Sequence, residues 1–253
     1  MNQAERLNRA MIREIEKLGD IGPWHDALLA VPRHLFIPNL AYVSPDDDES
    51  YIIDRSANPE KWLRSAYMDV AIITQINDGE CSIMDAGKDG VRFTSSASAP
   101  STVIAFLSLL GASKGHNVLE IGTGTGWTAA LLSAVVGDHK VTSIEIDEEI
   151  GNRAAQNLRS AGYAPHLVTG DGAEGVPGKA PFDRIHVTCG IDEIPPQWID
   201  QTKRGGILVA PYRRELVSLV VHEDGEATVK HYGRARFMML RSPKDETPKR
   251  AAI

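Results

Sequence analysis

The stretch Glu120-Ile-Gly-Thr-Gly-Thr-Gly126 constrains the chain most: three glycines at alternate positions, directly after the apolar run Asn117 to Ile121 and directly before the apolar run Trp127 to Val136. Alternate glycines let a backbone turn tightly and lie against a ligand where a Cβ would collide. A strand that ends in such a loop and restarts as a helix opens a βαβ unit. The residues that follow repeat the alternation. Lys140 to Ile146 reads as a strand and Glu148 to Ala161 as a helix stopped by Gly162; His166 to Thr169, Arg184 to Thr188 and Gly206 to Ala210 read as strands, with a helix over Gln197 to Thr202. Strands separated by helices predict right-handed crossovers and a mostly parallel sheet. Beyond Pro211, Leu216 to His222 and Ala227 to Tyr232 flank a hairpin signal at Asp224-Gly225, and Arg236 to Leu240 reads as a further strand. Antiparallel strands therefore finish the sheet.

The first hundred residues read differently. Leu7, Met11, Ile15 and Leu18 recur at helical spacing from Gln3 to Leu18, and Pro23 opens a second helix that runs to Ala30. Val31-Pro-Arg-His-Leu-Phe-Ile-Pro38 is expected to be extended at both prolines. Ser44 to Glu60 carries six carboxylates against Arg55 and lacks the spacing of a calcium loop, so it reads as a solvated acidic loop. Pro100 to Leu110 reads as a helix. The net charge of −7 argues against binding nucleic acid mainly through phosphates. Cys81 and Cys189 form no CxxC pair, so neither a disulfide framework nor a metal site is expected. With no long apolar run and a charged amphipathic start, the expectation is a cytoplasmic protein with no membrane partner.

Two cofactor classes compete for the glycine loop. A dinucleotide fingerprint needs its third glycine where this chain has Trp127, and an indole there opposes close pyrophosphate approach. The spacing instead resembles class I S-adenosylmethionine-dependent methyltransferases. That resemblance implies an α/β, Rossmann-like fold with an N-terminal helical extension. It places Glu120, Gly122, Thr123, Gly124, Thr125 and Gly126 at the amino-acid end of the cofactor. Glu145, 19 positions past Gly126 and followed by Ile146, would grip the ribose hydroxyls, and Gly170-Asp171-Gly172 would hold the adenine. The product would be S-adenosylhomocysteine. No Walker loop, Gly-x-Ser-x-Gly elbow or HExxH motif is present.

From Leu18 to Arg241 the chain resembles protein-L-isoaspartate O-methyltransferases. The resemblance is carried by Val31 to Pro38, Tyr67-Met-Asp69, Ser98-Ala-Pro100, Val118 to Gly126, Val141 to Asp147, Gly170-Asp-Gly172, Ile194-Pro-Pro196, Gly205 to Val209 and Phe237-Met-Met-Leu240. It implies a helical and acceptor-recognition region over 1–100 and a methyltransferase domain over 101–241; the prolines and charges of 242–253 read as a flexible tail. The resemblance makes Ser98 the hydroxyl at the acceptor carboxylate, with Tyr67, Asp69, Ser96 and Thr188 as further acceptor-binding residues. Read alone, Ser98 is first of all an N-cap for the helix that follows. The expected partner is a peptide or protein bearing aspartate or isoaspartate. The family's glycine-rich run and glutamine before Ser98 are replaced by Lys88-Asp-Gly-Val-Arg-Phe-Thr-Ser95. That departure resembles the branch that methylates aspartate in ribosomally made peptides, leading to aspartimide and isoaspartate; repair of damaged proteins is the alternative acceptor chemistry. An idle cofactor-binding scaffold and a small-molecule methyltransferase are the rival functions.

Overall fold

The computed structural model describes residues 1–45 and 48–242. The Asp46-Asp47 part of the acidic stretch and the expected flexible tail, apart from Ser242, lie outside them.

The chain opens with helix α1 (Gln3–Glu16), whose capping box is made by Asn2 and Glu5, and helix α2 (Trp24–Ala30). The Val31 to Pro38 segment is extended at Pro32 and Ile37, but Arg33–Phe36 between them closes a single 3-10 turn. The next region corrects the reading of Ser44 to Glu60 as a solvated acidic loop and adds a sheet to the N-terminal helices. Strands β1 (Leu40–Ser44) and β2 (Tyr51–Asp54), helix α3 (Pro59–Ala66), and strands β3 (Ala71–Ile76) and β4 (Phe93–Ala97) follow. The strands form an antiparallel sheet of order β2-β1-β3-β4. The acidic stretch therefore contains a strand and the start of a helix. Its apolar side chains explain why: Ile53 and Trp62 are buried with Ala41, Val43 and Ile72 in a small core of their own.

Helix α4 (Pro100–Leu110) leads into the main sheet. Its elements are β5 (Val118–Ile121), α5 (Trp127–Val136), β6 (Val141–Glu145), α6 (Glu148–Ala161), β7 (His166–Thr169), β8 (Phe182–Val187), α7 (Pro196–Asp200), β9 (Thr202–Tyr212), β10 (Glu215–Val221) and β11 (Ala227–Arg234). The strand order is β11-β10-β9-β8-β5-β6-β7, parallel from β9 through β7 and antiparallel at β10 and β11. Between β7 and β8, where the sequence shows no helix, the chain makes two 3-10 turns. One expectation is corrected. Arg236 to Leu240 is not a strand; its one ladder contact is the isolated bridge of Met239 to Gly190. Alternating residues of β5 sort the core. Val118 joins the cluster of α1, α2, α4 and α5, while Leu119 and Ile121 face Trp198 of α7 on the opposite side. No helix among the described residues is long and apolar enough to cross a membrane.

The chain leaves β5 toward β6 and β7 on one side, whereas β8 and β9 lie on the other. The crevice at the carboxyl ends of β5 and β8 is thus the switch point where open α/β sheets bind ligands.

Candidate active site

A cleft of ≈ 1070 Å³ opens at that switch point. One wall is the N-terminal sheet, through Asp69, Ile73 and Phe93 to Ser98. Its floor is the glycine loop with Glu145, and the other wall is the segment Arg234 to Arg241.

The loop has the conformation its glycines allow. Gly122, Gly124 and Gly126 have φ of +90°, +55° and +89°, in the region L side chains avoid. A Cβ on Gly122 would stand 2.4 Å from Oγ1 of Thr188. That hydroxyl lies 2.9 Å from the carbonyl of Ile121 and 2.6 Å from that of Gly122, so Thr188 braces the loop. Below it runs a buried polar row set by strand register, because Ser143 and His186 both pair with Glu120 across the sheet. Ser143 donates to Glu120 Oε2 at 2.6 Å, and its hydroxyl lies 2.6 Å from that of Thr123. Glu120 Oε1 and both ring nitrogens of His186 are buried without a hydrogen-bond partner among the described residues.

Glu145 ends β6 at 7% exposure. Its Oε2 accepts the Gly124 N–H at 2.9 Å, and Oε1 accepts those of Ile146 and Asp147 at 3.1 and 3.2 Å. Oε1 thus has both its lone pairs taken, and Oε2 keeps one for a hydroxyl donor. Burial raises its pKa above the ordinary carboxylate value, against the opposing pull of these N–H groups and Arg241. A tight glycine cradle, an acidic side chain at the next strand end and orphaned polar atoms beneath fit a ligand with an amino-acid end and a ribose. Cys189 also lines the cleft; burial first and the Glu145 charge second push its thiol up to about 12, so it stays protonated.

On the acceptor side, Ser98 lines the cleft and its side chain makes no hydrogen bond among the described residues. The N-cap of α4 is Ala99, without a side-chain cap, which corrects the capping alternative for Ser98. The helix start is held from outside, since Asp69 Oδ1 accepts the Ser101 N–H at 2.8 Å.

The cleft thus gathers Ser98, Gly122, Thr123, Gly124, Thr125, Glu145, Ile146, Gly172, Asp69, Ser96 and Thr188. Five other expected residues do not line it. Glu120 is wholly buried behind the loop, and Gly126 caps α5 against Leu158. Gly170 and Asp171 stand aside, Asp171 capping the turn at Ala173. Tyr67 is 6% exposed, with its hydroxyl 2.6 Å from His34 Nδ1. Its place is therefore in the packing behind the acceptor wall, which corrects the expectation that it touches the acceptor. Sequence reading missed Arg33, which lies wholly buried behind Ser98, and Arg241, which reaches Glu145. The prolines around Arg33 were the one local signal for the first.

The comparisons agree with this geometry. The family described as "Protein-L-isoaspartate(D-aspartate) O-methyltransferase (PCMT)" matches residues 51–245. A protein-L-isoaspartate O-methyltransferase of Methanosarcina mazei is 31% identical over 94% of this chain and 84% of its own length. Protein-L-isoaspartate O-methyltransferase 2 of Archaeoglobus fulgidus is 30% identical over 95% of each. Among solved structures, a protein-L-isoaspartate O-methyltransferase aligns with a TM-score of 0.67 at 29% identity, over 92% of this chain and 65% of that one. A Plasmodium falciparum protein solved with S-adenosyl-L-homocysteine shares the fold, with a TM-score of 0.65 at 15% identity over 95% and 99% of the two chains. The chain belongs to the protein-L-isoaspartate O-methyltransferase family and is an S-adenosylmethionine-dependent enzyme.

Proposed function

We propose that the chain methylates the side-chain carboxylate of an aspartate in a ribosomally made peptide. The observation that carries this reading is the acceptor wall. Phe93, Thr94 and Ser95, which close the segment departing from the family pattern, line the cleft immediately before Ser96 and Ser98. A wall rebuilt at that place alters what the acceptor touches while leaving the cofactor loop intact.

The reaction asks for no base. An aspartyl carboxylate has a pKa near 4 and is the nucleophile at neutral pH. Bound in the cleft, S-adenosylmethionine supplies a sulfonium methyl; the carboxylate oxygen forms the new C–O bond as the C–S bond breaks and its electron pair returns to sulfur. The protein's work is alignment and exclusion of water. In this reading Glu145 accepts the ribose hydroxyls, the glycine loop cradles the amino-acid end, and Gly172 borders the adenine. Ser98 donates one hydrogen bond to the acceptor oxygen without adding charge, next to the positive end of the α4 dipole. The methyl ester then loses methanol to the following backbone nitrogen, giving an aspartimide.

A second reading, methylation of L-isoaspartyl residues in damaged proteins, is favoured by the relatives, which carry that activity in their names along most of this chain. Incubating the enzyme and S-adenosylmethionine with a constrained aspartyl peptide and with unrelated isoaspartyl peptides separates the two. Mass spectrometry is expected to show net loss of water from the first and little methylation of the second. Efficient methylation of isoaspartyl peptides with no reaction at aspartate would establish repair instead.

A further inference from the structure

We propose that Asp78 and Arg241 form a latch across the cleft that gates exchange of cofactor and product, an inference that rests on the methyl-donor reading of Glu145. The two residues come from opposite walls. Asp78 lies in the connection between β3 and β4 of the N-terminal sheet, at φ +53°, a left-handed conformation that few non-glycine residues adopt. Arg241 ends the segment that forms the other wall. That segment is fixed to the main sheet by the Gly190 N–H on the Met238 carbonyl at 2.7 Å and the Leu240 N–H on the Gly190 carbonyl at 2.8 Å.

Arg241 Nη1 pairs with Asp78 Oδ1, and Arg92 takes the other Asp78 oxygen. Nη2 of the same guanidinium stands 3.8 Å from Glu145 Oε1 and 3.9 Å from Asp147 Oδ2. One cation thus bridges carboxylates from three separate elements, beside the carboxylate offered to the ribose. At 3.8 Å it is an ion-pair neighbour of Glu145 and not a hydrogen-bond donor to it, so the lone pair left on Oε2 stays free. The Asp78 side is itself braced: its N–H donates to Thr94 Oγ1 at 3.2 Å, Thr94 donates to Gln75 Oε1 at 2.7 Å, and Gln75 Nε2 donates to Asp147 Oδ2 at 2.9 Å. This chain of contacts ties the β3–β4 connection to the N-cap of α6 next to the ribose site. A ligand at Glu145 enters or leaves by parting the two walls there, and the Asp78–Arg241 pair is the contact that must break.

A gate differs from a binding contact in its kinetics. Weakening a gate raises association and dissociation rates together, whereas losing a contact raises dissociation alone. Binding of S-adenosylmethionine and S-adenosylhomocysteine, without acceptor, is followed by surface plasmon resonance for the native protein, Asp78→Asn, Arg241→Gln and the double variant, with melting temperatures alongside. For a partly exposed ion pair both rates are expected to rise roughly fivefold in Asp78→Asn, with Kd nearly unchanged and the double variant no faster than Arg241→Gln. Unchanged rates, a rise in dissociation alone, or additive effects in the double variant would overturn the latch. A native protein that binds neither ligand would overturn the methyl-donor reading and the latch with it, which separates the two failures.

Discussion

Nη2 of Arg33 donates to the carbonyl oxygen of Ser98 at 2.9 Å, so a wholly buried cation holds the backbone of the residue proposed to meet the acceptor. The same guanidinium donates to the carbonyls of Ala66, Met68, Val70 and Ala97 at 3.0 to 3.2 Å and lies 5.5 Å from the centroid of the Trp127 ring. Burial pushes its pKa down to about 9, which leaves it charged at neutral pH. Trp127, the residue that sequence reading used to exclude a dinucleotide loop, is thus part of the packing that aims the acceptor segment.

Replacing Arg33 by Lys keeps the charge but loses the planar fork of donors. A lysine satisfies at most three of the five carbonyls, and each buried acceptor left bare costs about 1 to 3 kcal/mol. Arg33→Lys is expected to lower stability by roughly 3 kcal/mol and to depress kcat, because Ser98 loses its tether. Urea unfolding beside steady-state kinetics measures both. An unchanged unfolding midpoint would show that the carbonyls find other partners.

Ser98→Ala tests the hydroxyl separately from the tether. Its side chain caps nothing, since Ala99 occupies the N-cap of α4. The melting temperature should therefore stay within error while kcat falls roughly tenfold to hundredfold, the value of one hydrogen bond to a charged group. Cofactor affinity should not move. A lost melting temperature with normal turnover would return Ser98 to a structural role.

The legible part of the molecule was the part built from periodic elements. Helices α4, α5 and α6 were bounded correctly because their apolar spacing and terminal glycines are local signals. The N-terminal sheet escaped for a physical reason: β2 is four residues inside an acidic stretch, and β4, Phe-Thr-Ser-Ser-Ala, is short of large apolar side chains. Their pairing energy comes from partners up to 25 residues away, as in Ile72 opposite Ala97, and no window along the chain contains it. The glycine loop and the strand end at Glu145 were legible together, because their order and spacing are both local to one βαβ unit. Arg33 and Arg241 were not, because a hydrogen bond spanning 65 positions or an ion pair spanning 96 leaves no mark on neighbouring residues.

Gly122→Ala probes the loop. At φ +90° an alanine pays roughly 1 to 2 kcal/mol of backbone strain, and its Cβ would press on the Thr188 hydroxyl that braces the loop. The expected result is modest destabilisation with a large loss of S-adenosylmethionine affinity, read by thermal melting and calorimetric titration. Normal affinity would show that the backbone at Gly122 does not approach the cofactor.

The pH dependence of Glu145 has two opposite signs. Burial raises its pKa in the folded protein. Between the ordinary carboxyl value of the unfolded chain and that raised value, the folded state therefore holds more protons. Stability from this group consequently declines as pH rises through the window. Ribose hydroxyls donate to the ionised form, so cofactor affinity should instead weaken as pH falls through the raised pKa, beginning above the range of an ordinary glutamate. Near that pKa, binding should also release a proton, visible as a buffer-dependent heat in calorimetry. Glu145→Gln should weaken binding roughly tenfold to hundredfold at high pH and remove both slopes. A slope that persists in the variant would show that Glu145 is not the group whose ionisation governs cofactor binding.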